Sequence, residues 1–151
     1  MSGRLYQRLV REEQAAVNVR SDLDERRGPS LFWISATVRP GVTVEALEAM
    51  VYEELEKLKT ELVEDWEMEK VRAQIERRHA DTLLSTRRRA NALAEGAVFY
   101  NDPGLINKFE EKYGQVSKQQ IRAATGIYLT QNNRTVVTTL TQSRSGDGGA
   151  P

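Results

Sequence analysis

The sequence predicts an α+β fold, a small antiparallel sheet covered on one face by helices. Three observations carry this. Strand-like alternation is confined to two stretches near the N-terminus and one near the C-terminus, the long interval between them keeps a helical period, and turn signals fall between these segments. Strands and helices that are segregated along the chain, instead of alternating one by one, favour α+β over a parallel α/β sheet.

From Ser2 to about Gln14, Leu5, Leu9 and Val10 recur at helical spacing between Arg and Glu, as in a short amphipathic helix. The opening is abrupt, as in a fragment of a longer protein. Ala15-Ala16-Val17-Asn18-Val19 then leads towards Arg26-Arg27-Gly28-Pro29, and Phe32, Ile34, Ala36 and Val38 alternate with Trp33, Ser35 and Thr37. This pattern predicts two strands around a Gly-Pro turn. Apolar residues on both faces over Leu31 to Ile34 suit an interior strand, which closes at Pro40-Gly41.

Thr43 is placed to cap a helix whose stripe runs Val44, Leu47, Val51, Leu55, Leu58, Leu62. A break near Val63 to Asp65 separates it from a second helix. Asp65 stands at the expected N-cap, Glu67 and Glu69 complement the positive dipole end, and Met68, Val71, Ile75, Thr82, Thr86 and Leu93 extend one stripe to about Tyr100. Asn101-Asp102-Pro103-Gly104 signals a turn, and Leu105, Ile106, Phe109 and Tyr113 a short helix closed by Gly114. Ser117-Lys118-Gln119-Gln120 reads as a capping box, with Val116 and Ile121 as its staple. After a turn at Asn132-Asn133, Val136, Thr138 and Leu140 alternate with Val137, Thr139 and Thr141 in a last strand. Residues 1–142 then form one domain, and 143–151, with only small, polar and Gly residues, an expected disordered tail. A sheet of three strands has edges to hide.

With 39% hydrophobic and 29% charged residues, the chain has the balance of a folded domain. Lys plus Arg equals Asp plus Glu at 22 each, so no global field draws it to nucleic acid or acidic lipid, and neither is expected as a partner. No Cys is present, which excludes disulfides and thiolate chemistry and leaves the compartment open. No stretch approaches the ~18 apolar residues of a membrane span.

Catalytic signatures are missing. His79 is the only His, so no two-His zinc motif can be built, and on the helical stripe four residues after Ile75 it reads as a packed or half-exposed helix residue. No phosphate-binding glycine loop or serine elbow occurs. Arg77, Arg78 and Arg87-Arg88-Arg89 share their helix with Glu67, Glu69, Glu76 and Asp81 and predict an ion-paired, solvated face. Glu12-Glu13, Glu53-Glu54 and Glu110-Glu111 point about 100° apart on a helix and read as surface charge, not as acid/base pairs.

The run Ser2-Gly3-Arg4-Leu5-Tyr6-Gln7-Arg8-Leu9-Val10-Arg11-Glu12-Glu13-Gln14 resembles the helix that opens the last half of a pitrilysin/insulinase-type zinc peptidase domain, in the branch of the processing peptidases. Gly28-Pro29-Ser30-Leu31-Phe32, Pro40-Gly41-Val42, Glu69-Lys70-Val71-Arg72-Ala73-Gln74, Val116-Ser117 and Asn132-Asn133-Arg134-Thr135-Val136 continue the likeness in order over about Ser2 to Thr141. The resemblance implies the later part of the C-terminal, non-zinc domain of such a bacterial peptidase, with no catalytic, metal or cofactor residue of its own. Zinc would sit in the N-terminal domain of a full-length relative, and a signal peptide on such a precursor would make it periplasmic. In several members this region supplies an Arg and, seven residues on, a Tyr that bind substrate. Here Val10 and Val17 fall at those positions and Arg11 lies one residue off register.

The expectation is therefore a metallopeptidase fragment, inactive alone, that lines a substrate chamber and meets an N-terminal zinc domain or partner subunit and a peptide substrate. The alternative is a non-enzymatic module that pairs through an exposed sheet edge with a partner or a second copy of itself.

Overall fold

The computed structural model describes residues 3–108 and 113–140. Its element order is α1 (Arg4–Tyr6), continued by a π-helical turn over Gln7–Glu12, then β1 (Ala16–Asp24), β2 (Leu31–Val38), α2 (Val44–Thr60), α3 (Asp65–Leu84), α4 (Thr86–Tyr100), a 3-10 turn at Pro103–Asn107, α5 (Lys118–Tyr128) and a 3-10 turn at Gln131–Asn133. The α+β architecture stands. β1 and β2 pair antiparallel, with Leu23 opposite Phe32 and Val19 opposite Ala36.

The core lies where the first helix crosses the base of this hairpin. Leu9, Ala15, Ala16 and Leu47 are buried, with Leu5, Val10, Val19, Ala36, Val38, Val42, Met50 and Val51 packed against them. Leu9 and Leu47 come from helices and Ala15 and Ala16 from the strand entrance, so this cluster ties the first helix, the sheet and α2 into one body. Burial of a leucine such as Leu9 or Leu47 contributes roughly 1.5–3 kcal/mol.

Local chemistry sets the helix starts. Thr43 Oγ1 accepts from Ala46 N at 3.2 Å, Ser85 Oγ from Arg88 N at 3.4 Å, and Ser117 and Gln120 form the reciprocal box expected of them. α2 ends at Thr60, and the N-cap of α3 is Glu64, not Asp65, because Glu67 reaches back to accept from Glu64 N.

Four expectations are corrected. The single helix to Tyr100 is two, since Ser85 adopts an extended backbone between Leu84 and Thr86 and its hydroxyl caps the second. Residues 134–140 form no strand, so among the described residues the sheet has two strands, both of them edges, and β2 is not interior. Arg134 at the start of this stretch stacks its guanidinium 3.7 Å from the centre of the Tyr52 ring on α2. Glu54 is not surface charge, for it is buried against Arg8 and Lys57. The short helix expected up to Gly114 begins as the 3-10 turn Pro103–Asn107, and its residues 109–112 lie outside the described residues, as does the tail 143–151.

Candidate functional site

Three departures from regular backbone follow one another within Gln7 to Asn18. The first helix leaves α geometry for a π turn, in which Glu13 N donates to Arg8 O at 2.8 Å. Gln14 takes a left-handed conformation at φ 50°. The pairing of Ala16 with Val38 and of Asn18 with Thr37 leaves Val17 as the extra residue of a β-bulge. Each is unfavourable locally, and such features concentrate where a protein aims side chains at a ligand.

The three arginines of the first helix divide accordingly. Arg4 forks onto Glu67 of α3, Nε to Oε1 at 2.7 Å, and Arg8 bonds Glu54 Oε1 at 2.9 Å and also Glu53 of α2. The hydrogen bond from Arg4 holds the Glu67 carboxyl below the usual carboxylate range, against some desolvation. Burial pushes the Glu54 carboxyl up, but Lys57 and Arg8 together outweigh it and leave it lowered. These two pairs fasten the first helix to α2 and α3. Arg11 is exposed, makes no ion pair among the described residues, and lies 5.8 Å from the centre of the Tyr6 ring.

Beside this segment lies an open cleft of about 330 Å³ lined by Gly3, Leu5, Tyr6, Val19, Arg20, Ser21 and Gln74. Beyond it the hairpin carries exposed Leu23, Leu31, Phe32 and Trp33. Val10 is partly buried against the core, whereas Val17 is 53% exposed on the bulge. The π turn and the bulge were not legible in the sequence.

Among the described residues, no group of three or more His, Asp or Glu could hold a metal ion, and His79 stands half-exposed on α3. These residues do not fit a zinc site. The arrangement can bind and position, and it offers no general base beside an electrophile.

Residues 1–75 match the family model of the peptidase M16 inactive domain. No curated protein matches. Among solved structures, the fold resembles the inactive peptidase domain of a protein from Bordetella parapertussis named a zinc protease, with a TM-score of 0.80 and 24% identity over 95% of this chain and 78% of that one. A protein so named from Bordetella pertussis Tohama I gives 0.77 and 23% over 91% and 77%. A protease from Helicobacter pylori gives 0.79 and 20% over 87% of this chain, which spans only 32% of that protein. In a full-length relative the zinc belongs to the other domain. The family match over the first helix, hairpin and α2, on a fold shared with these domains, places the chain in the pitrilysin/insulinase-type peptidase family, as a C-terminal domain of the inactive kind.

Proposed function

We propose that this domain forms the non-catalytic wall of a zinc peptidase's substrate chamber, with Arg11 as the cation it presents to the peptide. The observation that carries the reading is the division of labour on the first helix: Arg4 and Arg8 are held by carboxylates, while Arg11 stands exposed near the Tyr6 ring. Hydrolysis in the intact protein would use metal and base from the N-terminal domain, and this chain would bind and orient the substrate. An Arg guanidinium suits a peptide carbonyl or carboxylate because it offers several donors in a fixed plane.

The test is a peptide-cleavage assay with added zinc, on this chain alone and on the chain combined with any His-x-x-Glu-His domain encoded upstream. No turnover alone and turnover in combination is the expected pair of results. Zinc-dependent cleavage by the chain alone overturns the assignment, as does the lack of any such domain upstream.

A second reading, a binding module that pairs through its sheet edge, is favoured by one feature of β2. Leu31–Val38 contains no charged residue and no Pro, the usual guards of an exposed edge. Self-association that Ser35→Lys abolishes, without any upstream zinc domain, would favour it.

A further inference from the structure

The sequence predicts that the arginines of the third and fourth helices are ion-paired, and the structure contradicts this. Arg77, Arg78, Arg87, Arg88 and Arg89 are all exposed, and among the described residues none of their guanidinium groups makes an ion pair or a hydrogen bond. They flank the elbow at Ser85, where α3 ends and α4 begins. Leu84 at that elbow is 85% exposed and Leu83 is 40% exposed.

The placement works against the fold. α4 has no acidic residue in its first turn, and three arginines stand at its positive dipole end, where cations are disfavoured. Glu76 and Asp81 stand on the same stretch of α3, yet among the described residues neither pairs with any of these arginines, and the other acids of α3 lie farther off. Asp65 pairs with Lys118 and Glu67 with Arg4, at the far end of α3. Some 16 residues separate Glu69 from Ser85, roughly 24 Å along a helix, which exceeds a Debye length at physiological salt.

We propose that this elbow is a docking site for an acidic segment of a partner polypeptide, its carboxylates forked by the arginines and its apolar residues covering Leu83 and Leu84. This goes beyond the chamber-wall reading and does not depend on it. The chemistry selects the class of partner. No Lys occurs between Lys70 and Lys108, so the patch is built of Arg, whose planar fork matches carboxylate geometry, where a diffuse anionic surface would be served equally by Lys. No Phe, Tyr or Trp stands between Trp66 and Phe99, so the elbow lacks the ring platform on which single-stranded nucleic acid stacks. The exposed leucines add an apolar contact that a bare polyanion leaves unused.

The experiment is fluorescence anisotropy of the full chain titrated with a labelled peptide of alternating Glu and Leu at low salt. Saturable binding is expected, weakened at least about tenfold by the triple variant Arg87→Gln, Arg88→Gln, Arg89→Gln and by high salt, and absent for the peptide with Gln in place of Glu. Circular dichroism checks that the variant keeps its helix. Should it not, the Gln peptide and the salt titration still decide the matter on the unaltered chain. Equal binding by a folded triple variant overturns the proposal. So does equal weakening by Arg20→Gln with Arg122→Gln, which remove charge elsewhere. Binding only to phosphatidylserine-containing vesicles or only to a single-stranded oligonucleotide, with none to the acidic peptide, also overturns it.

Discussion

Arg4 and Glu67, 63 residues apart, face each other as a fork, Nε 2.7 Å from Oε1 and Nη2 2.5 Å from Oε2. The same carboxylate accepts from Glu64 N at 2.9 Å and so closes the start of α3. One side chain therefore performs two tasks, a long-range tether and a helix cap. Glu67→Gln keeps an acceptor for the cap and removes the charge, and should lower stability by about 1 kcal/mol. Glu67→Ala removes both and should lower it by about 2 kcal/mol. Urea unfolding separates them, and equal losses would mean that only one of the two tasks matters.

The lowered carboxyls of Glu54 and Glu67 make a prediction about acid. A group with a folded pKa below its unfolded value adds stability that is complete above the unfolded value, near 4.3 for Glu, and is lost as pH falls through the folded one. The melting temperature should therefore fall steeply below about pH 5. Glu54→Gln should start lower at neutral pH and show a shallower fall, and parallel curves for the two proteins would refute the linkage.

Most elements were legible in the sequence because they rest on local rules. The caps at Thr43 and Ser117 and the stripe from Val44 follow from hydroxyl chemistry and helical period. The features that failed depend on contacts distant in sequence. The alternation from Val136 looks like a strand, yet a strand exists only with a paired neighbour, and among the described residues β1 and β2 pair only with each other. Glu54 looks like one of many surface acids until the fold brings Arg8 against it. At the candidate site, residue types were readable and backbone was not. Nothing in Gln14-Ala15-Ala16-Val17 announces a left-handed residue or a bulge, since no Gly marks either.

Two glycines in helices should respond oppositely to the same change. A Cβ at Gly96 in α4 would lie 2.7 Å from the Asp102 carbonyl oxygen and 3.3 Å from Pro103 Cα, both backbone atoms of the turn that folds back on this helix. Gly126 in α5 has open space there. Gly126→Ala should therefore stabilise by about 0.5–1 kcal/mol, through helix propensity. Gly96→Ala should destabilise by about 1–3 kcal/mol in spite of that propensity, because the turn must move. Thermal melts of the two variants check the signs, and a stabilised Gly96→Ala would show that the turn yields freely.

The division between Arg8 and Arg11 is the sharpest test of the candidate site. Arg8 is mostly covered and holds the buried carboxylate of Glu54, so Arg8→Ala leaves that charge to Lys57 alone and should lower stability by about 2–3 kcal/mol. Arg11 stands exposed with its guanidinium 5.8 Å from the centre of the Tyr6 ring, and Arg11→Ala should change stability by less than about 0.5 kcal/mol. In the peptidase formed with a zinc-bearing domain, the order should reverse. Arg11→Ala should then lower kcat/KM by about tenfold or more, the consequence of losing one charged hydrogen bond to the peptide. Refolded Arg8→Ala, assayed well below its melting temperature, should retain more activity than Arg11→Ala. An Arg11→Ala enzyme with unchanged kcat/KM would remove this arginine from the substrate path and leave the segment Gln7 to Asn18 a structural joint between the first helix and the sheet.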